Sequence, residues 1–156
     1  SPFGIGAYTG EEPAEILKQL VDVAIIGHSE RRTNFNETDE TVAKKASLAK
    51  EFNINPLICV QNAETVVPNG VEVIAYEPIF AIGTGNPDSP ENADNVAKNI
   101  KQKYKDVAVL YGGSVTSENV KSFVRQTNIN GVLVGGASLD ADKFIAIVKE
   151  CIGETD

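Results

Sequence analysis

The stretch Val71-Glu72-Val73-Ile74-Ala75-Tyr76-Glu77-Pro78-Ile79-Phe80-Ala81-Ile82-Gly83-Thr84-Gly85 sets the architecture. Its first six residues form an apolar, β-prone run that delivers a glutamate and stops at once on Pro78, so Glu77 falls at the carboxyl end of a strand. Parallel sheets carry their functional groups at those ends. Pro78 fixes one end of the next segment, Gly83 and Gly85 free the other, and apolar Ile79, Phe80 and Ile82 lie between, the composition of a hinged apolar lid. By itself the stretch reads more readily as a strand followed by an ordinary Gly/Pro loop with a solvated glutamate, so the remaining chain has to decide.

Short apolar runs of the same kind recur on both sides, at 23–27, 57–60, 107–111 and 131–134. Between them lie helical patterns. Pro13 suits the first position of a short helix with Ile16, Leu17 and Leu20 on one face. Asn36 is a cap for a helix with Glu37 and Asp39 in its first turn and Val42, Ala46, Ala49 and Phe52 inward. Ser89 caps and Pro90 starts a helix facing the core with Ala93, Val96, Ala97, Ile100 and Tyr104. Thr116 caps one carrying Val120, Phe123 and Val124, and Phe144, Ile147, Val148 and Cys151 mark the last. Five alternations without a two-residue hairpin signal predict an α/β fold of five parallel β/α units with right-handed crossovers. The run at 23–27 is continuous enough to predict a strand buried on both faces. The crossover after Val60 leaves room for two helical turns at most.

At 156 residues and 42% hydrophobic content, a single domain over residues 1–156 is expected. The net charge of -8 comes from acidic residues spread along the chain, which argues against a nucleic-acid or anionic-membrane partner. A small anion would have to be bound locally. Cys59 and Cys151 lie far apart in apolar patterns and read as buried free thiols, as suits a reducing cytoplasm. One histidine and no clustered carboxylates make a poor metal-ligand set, so no metal is expected.

On one face of a parallel sheet the strand ends gather His28 and Glu30, Glu77, Gly112-Gly113-Ser114 and Gly135-Gly136. The two Gly-Gly pairs expose backbone amides suited to a phosphate, although each alone is also an ordinary strand-to-helix turn. His28 after a buried strand is either a satisfied packing residue or a catalytic one. Beside a carboxylate and a phosphate cradle it reads as an electrophile polarising a carbonyl while Glu77 takes a proton from the adjacent carbon. Glu30, followed by Arg31 and Arg32, forms either a buried ion pair steadying the site or a wet salt bridge.

Five motifs in order, Gly6-Ala-Tyr-Thr-Gly-Glu, Ile26-Gly-His-Ser-Glu-Arg-Arg32, Ala75-Tyr-Glu-Pro78 with Ala81-Ile-Gly-Thr-Gly85, Tyr111-Gly-Gly-Ser-Val115 and Leu133-Val-Gly-Gly-Ala-Ser-Leu139, resemble the triosephosphate isomerase family over essentially the whole chain. The resemblance implies a TIM barrel, here partial and open, matching strands 4 to 8 without three N-terminal β/α units and their Asn-X-Lys. It implies cofactor-free aldose-ketose isomerisation between dihydroxyacetone phosphate and glyceraldehyde 3-phosphate through an enediolate. Glu77 is then the base and His28 the electrophile, with Glu30 beside them. Gly83, Ser114, Gly135 and Gly136 bind the substrate, and residues 78–85 close over it. Because the lysine is absent, weak or no turnover is expected, and a homo-oligomer is expected to cover the open sheet edges. The other reading is a non-catalytic, self-assembling partial barrel that at most binds phosphate.

Overall fold

A computed structural model describes residues 1–153 of the chain. The elements are α1 (Ala14–Leu17), β1 (Val23–Ile26), α2 (Ser29–Phe35), α3 (Asp39–Glu51), β2 (Asn55–Val60), β3 (Val73–Tyr76), α4 (Pro90–Lys103), β4 (Ala108–Tyr111), α5 (Val120–Val124), β5 (Gly131–Val132) and α6 (Ala141–Ile152), with 3-10 turns at Ile79–Ala81 and Gly136–Leu139. The strands form one parallel sheet in the order β1-β2-β3-β4-β5, and nothing closes it among the described residues. This is the expected α/β architecture of an open, partial TIM barrel.

The two faces of the sheet are unequally covered, because side chains alternate along each strand. In register, Ile58 lies beside Ile74 and Ile74 beside Val109. All three are fully buried, in the core that α3, α4 and α5 close with Val42, Ala46, Ala97, Ile100 and Phe123. The opposite face carries a smaller cluster of Leu57, Cys59 and Ala75 with Leu110 and Leu133 against it. At the edge that face is open: Val23 is 51% and Ile25 is 53% exposed. The expectation of a strand buried on both faces at 23–27 is therefore corrected. An apolar run records what each face could bury, whereas burial needs a partner, and among the described residues it is chiefly α3 and β2 that pack against β1.

Several helix starts also moved. Asn36 does not cap α3. It terminates α2 in a left-handed conformation at φ 53°, and Thr38 caps α3 by accepting from the Thr41 amide. The run 29–32 forms most of the first turns of α2, where strand-end polarity concealed a helix. Pro13 precedes α1 as its cap, and Ile16 and Leu20 face outward, leaving Leu17 to pack. Thr116 opens a turn, but α5 begins later, at Val120. On α6 Ile147 is the buried residue among those described, whereas Phe144 and Val148 remain partly exposed. Ser89 and Pro90 begin α4 as expected.

Residues 61–72 cross from β2 to β3 without a helix. Val67 and Val71 are buried in its place. The segment is held from both sides: Lys50 Nζ donates to the Gly70 carbonyl at 2.9 Å, Lys103 Nζ to the Ala63 carbonyl at 3.3 Å, and the Val67 amide donates to Tyr104 Oη at 3.1 Å. No helix among the described residues is long and apolar enough to cross a membrane.

Candidate active site

The sheet brings Glu77 and His28 together across 48 residues of chain. β3 ends at Tyr76, and the Glu77 amide donates to the Val60 carbonyl at 2.8 Å, so the ladder continues one residue and aims the carboxylate into the sheet's carboxyl end. β1 is followed by Gly27 at φ 74°, where a Cβ would meet Val42 Cγ2 at 2.9 Å. Only glycine makes that turn without strain, and it places His28 at the cap of α2. Arg32 Nε donates to the Gly27 carbonyl at 2.8 Å and Arg32 Nη1 to Asp39 at 2.7 Å, which ties the turn to α3.

The imidazole's hydrogen bonds assign its tautomer. Nδ1 accepts from the Glu30 amide at 3.2 Å, so it carries no proton, and the ring N–H sits at Nε2, 3.1 Å from Glu77 Oε1. Glu77 Oε2 accepts from the Ser29 amide at 3.4 Å, at the positive end of α2. Glu77 is 2% exposed. Burial pushes its pKa above the ordinary carboxylate value, while His28, the Ser29 amide and the Cys59 thiol pull back. The Cys59 thiol, its own pKa raised by burial and then by the carboxylate, stays protonated and donates to Glu77.

The lid leaves Glu77 through buried Pro78, exposes Ile79 and Phe80, and buries Ala81. Ser114 holds it down: its hydroxyl donates to the Ala81 carbonyl at 2.5 Å and accepts from the Gly85 amide at 3.2 Å. Gly83, Ser114, Gly135 and Gly136 line one cleft with His28 and Glu77, about 370 Å³ in volume. The side chain of Ser114 is thus spent on the lid, and what it presents to a ligand is its backbone amide. That amide, with those of Gly135 and Gly136, has no acceptor among the described residues. Among the described residues no lysine or arginine lines the cleft.

Glu30 is placed differently from either expectation. Its carboxylate is exposed, and Arg31 and Arg32 pair instead with Glu37 and Asp39. The helix turns Arg31 toward the α2–α3 connection and Arg32 toward the start of α3, and the residue's contact with the site is the amide that orients His28. Sequence reasoning missed Cys59, Tyr76, Tyr111 and Asp88. Asp88 accepts from Tyr76 Oη at 3.1 Å, and its amide donates to Tyr111 Oη at 2.8 Å. The signal available was two tyrosines in apolar strands, since a buried phenol requires a partner.

The family model for triosephosphate isomerase matches residues 2–151. The chain belongs to the triosephosphate isomerase family. It is 45% identical to the triosephosphate isomerase of Mesomycoplasma hyorhinis over a 170-residue alignment covering 95% of this chain and 70% of that protein. With the triosephosphate isomerase of Alkaliphilus metalliredigens it shares 44% identity over 177 residues, covering 92% and 71%. With that of Leifsonia xyli subsp. xyli it shares 41% over 175 residues, covering 92% and 68%. These alignments are longer than the part of this chain they cover, so the triosephosphate isomerases carry residues with no counterpart here. Membership of the family identifies an isomerase of the triosephosphate isomerase type.

Proposed function

We propose that this chain interconverts dihydroxyacetone phosphate and glyceraldehyde 3-phosphate through an enediolate. The observation that carries the reading is a neutral imidazole with its N–H at Nε2, aimed at a buried carboxylate of raised pKa at the mouth of the cleft. A carbonyl oxygen entering beside Nε2 accepts that hydrogen bond. Glu77, now the nearest base, removes a proton from the neighbouring carbon and returns it to the other one, while the hydroxyl proton on the first oxygen passes to the second, both oxygens lying beside His28 Nε2. The free amides of Ser114, Gly135 and Gly136 hold the phosphate, with Gly83 of the lid above it. Lid closure keeps water out and keeps the enediolate from expelling phosphate. Glu30 serves through its amide, by fixing the tautomer of His28.

A second reading is favoured by one feature: among the described residues the cleft lining has neutral donors but no cation. Residues 1–156 expressed alone would then bind a phosphate group and turn over weakly or not at all, because charge stabilisation at the reacting oxygen is a large part of such catalysis. A coupled isomerase assay separates the two. Turnover that falls at least about a hundredfold in Glu77→Gln supports the isomerase; phosphate binding without turnover supports the module. The half-exposed Val23 and Ile25 at the open edge further support a homo-oligomer covering that face, and light scattering showing a stable monomer refutes it.

A further inference from the structure

We propose that Asn69 is a modification site, at which the chain converts itself through a cyclic imide with Gly70 into aspartyl and isoaspartyl forms, the isoaspartyl form loosening the helix-free crossover between β2 and β3. The conversion does not depend on isomerase activity.

The sequence holds two Asn-Gly pairs, Asn69-Gly70 and Asn130-Gly131. In each, glycine puts no side chain in the way when its amide nitrogen attacks the asparagine carboxamide carbon. The fold treats the two pairs oppositely. Asn130 is pinned: its amide donates to the Val109 carbonyl at 2.7 Å, its Oδ1 accepts from the Val109 amide at 2.9 Å, and Gly131 lies in β5 in register with Leu110. Ring closure there has to break the side-chain bond and pull Gly131 off the ladder. Asn69 and Gly70 instead form the exposed tip of a turn. Neither the Asn69 carboxamide nor the Gly70 amide has a hydrogen-bond partner among the described residues, so the attacked carbon and the attacking nitrogen are both free. A cavity of about 290 Å³ between the turn and α3, lined by Asn69, Pro68 and Lys50, gives the carboxamide room to swing.

In the first step Gly70 N bonds to Asn69 Cγ while the Cγ–Nδ2 bond breaks, and Nδ2 leaves as ammonia with the Gly70 amide proton. Water then opens the imide. Cleavage of the new bond gives aspartate; cleavage at the original main-chain carbonyl gives isoaspartate, whose main chain runs through Cβ and Cγ and is one carbon longer. The two products meet the same surroundings differently. Lys50 Nζ donates to the Gly70 carbonyl at 2.9 Å and to the Asn69 carbonyl at 3.5 Å, and it pairs with no carboxylate among the described residues. Aspartate sets its carboxylate beside that ammonium and keeps the turn. Isoaspartate inserts its extra carbon between Val67 and Val71, both buried, and shifts the Gly70 carbonyl off Lys50. With no helix in 61–72, those contacts are part of what holds the segment.

The chain is incubated at mildly alkaline pH, folded and in urea, and conversion at each asparagine is followed by peptide mapping with mass spectrometry. In the folded chain Asn69 is expected to convert at least about tenfold faster than Asn130, whose bonds to Val109 must first open. In urea the two should convert at comparable rates, which assigns the difference to the fold. Hydrogen exchange over 61–72 is then read separately on the asparaginyl, aspartyl and isoaspartyl peptides, which separate by chromatography. Exchange in the isoaspartyl form should be about tenfold faster than in the parent, and in Asn69→Asp within about twofold of it. Asn69→Gln, whose longer side chain closes the ring far more slowly, should keep the parent's exchange after the same incubation. Folded chain in which Asn69 converts no faster than Asn130 overturns the assignment. Isoaspartyl chain exchanging at the parent rate, or incubated Asn69→Gln loosened as much as the parent, overturns the effect on the crossover.

Discussion

Gly113 and Gly136 occupy the second positions of the two Gly-Gly turns, yet the same substitution should be costly at the first and nearly neutral at the second. A Cβ on Gly113 would lie 2.6 Å from Tyr111 Oη, 3.0 Å from Tyr111 Cζ and 3.0 Å from Ala81 Cβ. Tyr111 cannot step aside: it is 1% exposed, its ring stacks on Phe123 at 4.0 Å and 8°, and its hydroxyl receives the Asp88 amide. Overpacking of this kind costs about 1–3 kcal/mol, and displacing the hydroxyl from Asp88 adds about 1 kcal/mol. Gly113→Ala is therefore expected to cost about 2–4 kcal/mol, a thermal midpoint lowered by about 5–15 °C for a chain of this size. A Cβ on Gly136 meets nothing within 4 Å, so Gly136→Ala should stay within about 0.5 kcal/mol of the parent. Urea unfolding followed by circular dichroism measures both. Tyr111→Phe supplies the internal check, because removing Oη removes the closest contact, so Gly113→Ala should cost less in that background, by about 1 kcal/mol or more. Equal unfolding midpoints for Gly113→Ala and the parent, or strictly additive effects with Tyr111→Phe, would refute the reasoning.

Other expectations concern pH and the lid. Glu77 must be ionised to act as a base and its pKa is raised by burial, so kcat/KM should rise along an acid limb lying above 4.5, the ordinary value, and Cys59→Ala should move that limb higher by removing the thiol's hydrogen bond. A raised carboxylate pKa also means that Glu77's contribution to stability is present at low pH and lost as pH rises through the folded value. Glu37 behaves oppositely: burial alone would raise it, but Lys45 and Arg31 hold it below 4.5, so its stabilisation is present above that value and is lost as pH falls through the folded one. Lys45→Ala should cost about 1–3 kcal/mol at neutral pH and flatten acid unfolding measured between those limits. Ser114→Ala removes both hydroxyl contacts to the lid; kcat/KM should drop about tenfold in the isomerase assay with little change in the urea midpoint.

Periodicity was enough to place the five strands and the α4 start, because apolar runs bounded by Gly, Pro and capping residues are local signals with local causes. It also placed Glu77, His28 and the Gly-Gly turns on one sheet face, since in a parallel sheet every strand's carboxyl end points the same way. What it could not supply was anything decided by a neighbour far along the chain. The exposure of Val23 and Ile25 depends on what packs against β1; the direction of Arg31 and Arg32 depends on where α3 lies; and the occupation of Ser114's hydroxyl depends on the lid's position. Sequence alone thus determined the α/β order, the strand-end residues and the family motifs. Only the tertiary structure decided the tautomer of His28, the burial that raises Glu77 and the convergence of Tyr76 and Tyr111 on Asp88, because hydrogen-bond geometry and desolvation are properties of groups brought together in space.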